Sequence, residues 1–321
     1  MNKHPLFRKN RLLSAILTLV VLFCVSSADL AAQDRINVVV SIPPQKYFVD
    51  QIGGEFVNIS VMLPPGASPH SFEPRPSQMV ELGNAHLYLA IGVEYEKALL
   101  PGIKSMHPEL RIIHTHRNIT KISMPARSHD RAPHQSHEQG PENHDHDHGH
   151  EQGNHRHEGL DPHVWLSPDT VMIMAGSIYQ ALAEALPDHK GYLQENYFNF
   201  HQELLQLDQD IKGVFSQLRP GTKFMVFHPA WGYFARSYGL VQVPIEVQGK
   251  EPKPADLKQL INTARRENIK VVFVSPQFSE RSARVIAQSI EGQTVSIDPL
   301  ALEWKENMLI VAEKFRQAAI H

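Results

Sequence analysis

From Lys190 to Leu218 the apolar residues Leu193, Tyr197, Phe200, Leu204, Leu207, Ile211, Val214 and Leu218 recur at alternating steps of four and three. That spacing places them on one stripe of a single helix. Pro220-Gly221 stops the pattern, and at roughly 1.5 Å per residue the helix is about 40 Å long, enough to cross a domain. Segments with strand character flank it on both sides. Residues 190–218 are therefore expected to form a rigid spine joining two lobes, one spanning 33–189 and the other 219–321.

The first lobe alternates strand and helix signals. Ile36 to Ile42 reads as a buried strand, and Pro43-Pro44 breaks it before a short helix carrying Tyr47, Phe48 and Ile52. A second strand runs from Val57 to Leu63, followed by a loop, Pro64 to Pro76, that contains five prolines. Proline fixes φ, so this loop loses little conformational entropy on folding and can hold His70 in place. Helix Pro76 to Asn84, strand His86 to Ile91, helix Glu94 to Leu100 and strand Arg111 to His114 follow, and Ser167-Pro168 is expected to cap a helix running to Leu186. Beyond Gly221 come strands at Lys223–Phe227, Val241–Ile245, Val271–Ser275 and Thr294–Ile297. Helices end near Tyr238 and cover Ala255–Glu267, Ser279–Ser289 and Trp304–Ala319. Strand-helix alternation of this kind makes an α/β protein with mostly parallel sheets covered on both faces.

Two segments fall outside that pattern. At the N-terminus, Lys3, Arg8, Lys9 and Arg11 precede an apolar run from Leu12 to Val25 and then small residues. This is the layout of a secretory signal, 1–32 at its longest, with cleavage after Ala28 or after Ala32. Export is expected, and no other stretch is long and apolar enough to span a bilayer. Between Ser128 and Glu158 periodicity disappears and nine histidines gather, with His144, His146 and His148 alternating with Asp and His150, His155 and His157 close behind. Such a tract lacks the apolar side chains for a core and is expected to be disordered. It reads either as an inert spacer or, preferably, as a set of weak auxiliary metal sites.

Composition narrows the chemistry further. The chain has 321 residues, 42% of them apolar, which suits two packed domains. Removing residues 1–32 takes away four basic residues and one acid, moving the net charge from −3 to −6, so nucleic acid is not an expected partner. The single cysteine, Cys24, lies within the signal and follows the bulky Phe23, which argues against a lipid attachment site. The exported chain would then contain no cysteine, and any metal would have to be held by His, Asp or Glu.

In parallel sheets, ligands bind beyond the carboxyl ends of the strands. His228 directly follows the strand Lys223–Phe227, Asp298 follows Thr294–Ile297, His70 sits in the loop after the second strand, and His163 lies on the spine side. Singly, each suits a surface turn or a cap. Together, three imidazoles and a carboxylate make a tetrahedral set for a divalent ion such as zinc. His86, also near a strand, is expected to be structural.

Around these residues the strings GASPHSFEP, GLDPHVWLSP, HPAWGYFARSYGL, IEVQGKEPKPADL and IDPLA resemble the zinc-binding, ZnuA-like branch of the solute-binding proteins of ABC-type metal uptake systems. The resemblance runs over nearly all of the exported chain. It implies two Rossmann-like lobes joined by one long rigid helix, and periplasmic capture of Zn²⁺ between them. It also implies delivery to a membrane permease with its ATPase; a carrier that docks one permease has no need of symmetry, so a monomer is expected. Carried over by position, the family's ligands fall on His70, His163 and His228, with the acidic position on Asp298; the fourth place is left to Asp298 or a water, and Glu73 is an outer-shell candidate. Manganese-preferring relatives usually carry Glu where His228 stands, and a third nitrogen ligand favours zinc over manganese. This chain departs from the pattern in two respects: Pro69 stands where some zinc-branch members have an acid, and no cysteines remain for the second-lobe disulfide of enterobacterial members. The alternatives are a manganese carrier of the same family and, in a different class, a secreted zinc hydrolase. The hydrolase would commonly carry a compact H-E-x-x-H helix, and no such string occurs.

Overall fold

The structure is a computed structural model that describes residues 35–124, 159–246 and 252–320. The expected signal and the His-rich tract lie outside the described residues. Four strands, β1 (Ile36–Val40), β2 (Val57–Val61), β3 (Leu87–Ala90) and β4 (Arg111–His114), form the first sheet in the order β2-β1-β3-β4, with every pair parallel. Helices α1 (Pro43–Gly53), α2 (Pro76–Gly83) and α3 (Glu94–Met106) connect them. After α4 (Pro168–Ala185) and the spine α5 (Lys190–Phe215), the second lobe repeats the plan. Its strands β5 (Lys223–Val226), β6 (Val241–Pro244), β7 (Val271–Val274) and β8 (Gln293–Ser296) pair in parallel in the order β6-β5-β7-β8. Helices α6 (Gly232–Ser237), α7 (Pro254–Arg266), α8 (Arg281–Ser289) and α9 (Trp304–Ile320) complete it.

The two sheets thus share one strand order, which the sequence expresses only as alternation. In each lobe the chain steps from its first strand to one neighbour and then crosses to the other side. That reversal opens a crevice at the carboxyl ends, between β1 and β3 and between β5 and β7.

Along the spine, Leu193, Phe200, Leu204, Leu207, Ile211 and Phe215 are buried. The expected Val214 and Leu218 are only half-buried, because the helix ends at Phe215 and that ring takes the last core position. Burial of each such side chain is worth about 1.5–3 kcal/mol relative to exposure. Phe200 packs its ring 6.0 Å from Tyr47 and 6.2 Å from Phe48 in α1. The C-terminal helix α9 lies against the same spine and brings Trp304 edge-on to Phe48 at 5.1 Å. One apolar core therefore runs from the first sheet through the spine to the inner face of the second, while a smaller cluster around Val272, Ile286 and Ile245 fills the outer face.

Two local expectations need adjustment. Helix α3 continues through Pro101 to Met106 rather than stopping at Leu100. Proline at 101 removes only one intrahelical bond, and burial of Ile103 beyond it offsets that loss. Ser167 does start α4, but its hydroxyl does not cap the helix. It bonds instead to Asp169 and to Ser237 Oγ across the lobe boundary, 2.8 Å away. His86 is structural, its Nδ1 accepting a hydrogen bond from the Asn37 backbone at 3.0 Å.

Candidate metal centre

His70, His163 and His228, separated by up to 158 residues, converge where the two lobes meet. Each arrives by a different route. His70 rides on the proline-stiffened loop after β2. His228 is the second residue past β5, the second-lobe counterpart of β1. His163 sits in the turn before α4, which is clamped between the lobes: Trp165 Nε1 donates to Pro299 O at 2.7 Å, and Trp304 Nε1 donates to Trp165 O at 2.8 Å.

Nε2 of His228 faces Nε2 of both His163 and His70, and a ligand atom of each of the three lies within 4.8 Å of the others. The His228–His163 separation is 3.3 Å and the His70–His228 separation 3.4 Å. Two ligand nitrogens about 2.0–2.1 Å from a tetrahedral zinc are necessarily about 3.3–3.4 Å apart. The other ring nitrogen of each histidine faces a carboxylate. Nδ1 of His70 lies 2.7 Å from Glu94 Oε2, that of His163 2.8 Å from Asp161 Oδ1, and that of His228 3.3 Å from both oxygens of Glu246. An ionised carboxylate only accepts, so each Nδ1 carries the proton and each Nε2 is left as a lone pair. Carboxylate-backed histidines are the usual outer shell of zinc sites, because the acceptor fixes the tautomer and makes the ligand more basic.

Burial completes this preparation. Side chains of His163 and His228 are 7% and 3% exposed, with Asp161 at 0% and Glu246 at 4%, whereas His70 and Glu94 are 32% and 59% exposed. Two arms of the site are thus built into the interior and one faces solvent. Burial pushes the His228 imidazole down to about 4, with His163 and His70 adding to the effect and Glu246 opposing it. At neutral pH that ring is uncharged. Phe278 stacks on it at 4.3 Å, and the cavity between the histidines has a volume of about 20 Å³. That is room for one ion or one water and for no organic molecule.

The expected residues do not all meet there. Asp298 lies outside the group; its Oδ1 accepts from Gln277 Nε2 at 2.8 Å and from the Leu300 backbone at 2.9 Å. Glu73 is exposed, and the carboxylate on His70 is Glu94 instead. The auxiliary set His144, His146, His148, His150, His155 and His157 lies outside the described residues. Glu94, Asp161 and Glu246 were not singled out from sequence. Glu94 and Glu246 follow β3 and β6 at the same sheet edges that pointed to the histidines, and Asp161 stands two residues before His163. The carboxyl-end rule would have reached the first two.

Residues 38–313 match the model of a protein family described as ZnuA, zinc-uptake complex component A, periplasmic. The chain belongs to the ZnuA family. It is 31% identical over 270 residues to the high-affinity zinc uptake system protein ZnuA of Yersinia pestis, covering 82% of each chain. Among solved structures it resembles a 138–173 deletion mutant of ZnuA with zinc bound, at 38% identity and a TM-score of 0.77, covering 89% of this chain and 98% of that one. A second crystal structure of ZnuA matches at 37% identity with the same TM-score and covers 89% and 100%. This ZnuA-family chain therefore has the two-lobe α/β architecture expected for it. Among its described residues no helix is long and apolar enough to cross a membrane.

Proposed function

We propose that this chain is the periplasmic zinc-binding component of an ABC-type importer, capturing Zn²⁺ through Nε2 of His70, His163 and His228 and handing it to a membrane permease driven by an ATPase. The observation that carries the reading is the set of Nε2 separations, 3.3 and 3.4 Å, at the spacing tetrahedral zinc requires, with a carboxylate behind every ring. Three nitrogen ligands favour zinc over manganese, which prefers oxygen and higher coordination.

The carrier is not an enzyme in this reading. Glu94, Asp161 and Glu246 are each engaged with a histidine Nδ1, so none of them is free as a general base at the ion. The lobes 33–189 and 219–321, with the spine 190–218 between them, act as one monomeric carrier after export by a signal within residues 1–32. The His-rich tract 128–158 supplies auxiliary, weaker zinc sites. Elemental analysis of protein purified without added metal, paired with competitive titration of Zn²⁺ against Mn²⁺, tests the assignment. Zinc at one per tight site and a preference for zinc are expected; a preference for manganese refutes it. Metal-dependent turnover of an ester, peptide or phosphoester would move the protein to the hydrolase class.

A further inference from the structure

We propose that Gln277 sets the metal preference of this site by holding Asp298 out of it. The inference rests on the three-histidine reading above. Gln277 lies in the loop between β7 and α8 and lines the same cavity as His70, His163 and His228. Its Nε2 donates to Asp298 Oδ1 at 2.8 Å. Because a carboxylate can only accept, the amide must turn its NH₂ toward Asp298. It does so although this leaves Gln277 Oε1 buried with no hydrogen-bond partner, so the bond to Asp298 dictates the orientation. The same Asp298 oxygen also accepts from the Leu300 backbone at 2.9 Å, and the Asp298 carbonyl accepts from Asn307 Nδ2 at 2.8 Å.

Asp298 is thereby tied into the second lobe by Oδ1, while Oδ2 takes no hydrogen bond from the described residues. The next two residues, Pro299 and Leu300, both line the cavity, so Asp298 adjoins its wall along the chain. The choice has chemical weight. With Asp298 restrained, the protein offers a borderline-soft set of three neutral nitrogens; with Asp298 admitted, it offers a hard anionic oxygen as well, which favours manganese. Gln277 is thus a specificity-determining residue that acts through Asp298 and does not itself bind the ion.

Cobalt(II) serves as the probe, since its d–d absorption reports ligand type and number, and competitive titration gives the Zn²⁺/Mn²⁺ affinity ratio. Wild type and Asp298→Asn should share one spectrum and one ratio. Gln277→Ala should change the spectrum and move the ratio toward manganese by about tenfold to a hundredfold, the range seen when outer-shell partners are altered. Gln277→Glu, which keeps the side-chain size and sets carboxylate against carboxylate, should do the same. The double variant Gln277→Ala/Asp298→Asn should return to the wild-type spectrum. Urea unfolding establishes that each variant is folded. Unchanged spectrum and ratio in both Gln277 variants overturns the proposal, as does an altered spectrum in Asp298→Asn alone, which would mean that Asp298 already binds the ion. Failure of the underlying reading looks different: a tight Co²⁺ site, distinct from the weaker sites of residues 128–158, would survive His228→Ala.

Discussion

Gly232 lies at the start of α6, and a methyl group built on it would stand 2.6 Å from Asp161 Oδ2 and 3.1 Å from Ile122 Cδ1. Ordinary contact begins at 3.4 Å, so in Gly232→Ala the Asp161 carboxylate must retreat by about 0.8 Å. Asp161 is fully buried and holds His163 twice, accepting from its Nδ1 at 2.8 Å and from its backbone N–H at 2.9 Å. If the side-chain bond absorbs the whole displacement it lengthens to about 3.6 Å, which is no longer a hydrogen bond. His163 then loses the acceptor that fixes its tautomer, and zinc affinity should drop about tenfold to a hundredfold, or about 1.4–2.7 kcal/mol. Competition against a chelator of known zinc affinity measures this. Asp161→Ala should lose a similar amount. In the double variant the added methyl has no carboxylate to displace, so the two losses should not add. Glycine to alanine in a helix favours folding by up to about 1 kcal/mol, so weakened zinc binding without a comparable loss of stability in urea separates site distortion from unfolding. Unchanged affinity in Gly232→Ala, or simple additivity in the double variant, refutes the chain of contacts from Gly232 through Asp161 to His163.

Replacing His228 by Ala removes the most enclosed of the three proposed ligands, and zinc affinity should fall by more than the roughly hundredfold limit of outer-shell changes; an unchanged affinity would take His228 out of the site. Deleting residues 128–158 should preserve one tight zinc site while lowering total zinc per chain by equilibrium dialysis, and loss of the tight site would contradict the ligand assignment. Away from the metal, Glu96 is 2% exposed, accepts from the Ile91 and Gly92 backbones at 2.9 and 2.7 Å and bonds to the Ser41 hydroxyl. Burial raises its carboxyl above the ordinary 4.5. In the window above that value the folded chain keeps a proton that the unfolded chain has released, so stability falls as pH rises. Wild type should therefore lose ground to Glu96→Gln in urea unfolding between pH 4.5 and the raised value, and a difference that stays flat with pH would show that Glu96 is not titrating abnormally.

The sequence by itself determined which elements form and which ends of the strands carry chemistry. Burial demands a stripe every three to four residues in α5 and unbroken apolar runs in β3 and β7, and these periods can be read without knowing what they pack against. His228 follows from the same logic, since a residue just past a strand must leave from that edge of the sheet, and His70 rides the loop that leaves the same edge after β2. Only the tertiary structure decided how far and in which direction each side chain goes. Glu94 reaches back 24 residues to His70 and Glu246 18 to His228, pairings created by neighbouring strand ends rather than by local spacing. Asp298 leaves from the same kind of edge, yet Gln277 and the Leu300 backbone capture it first. The shared strand order of the lobes and the return of Trp304 onto Phe48 were equally hidden. Periodicity records which face of an element is apolar, whereas the choice of partner for a polar group depends on competition among every donor and acceptor that folding brings within reach.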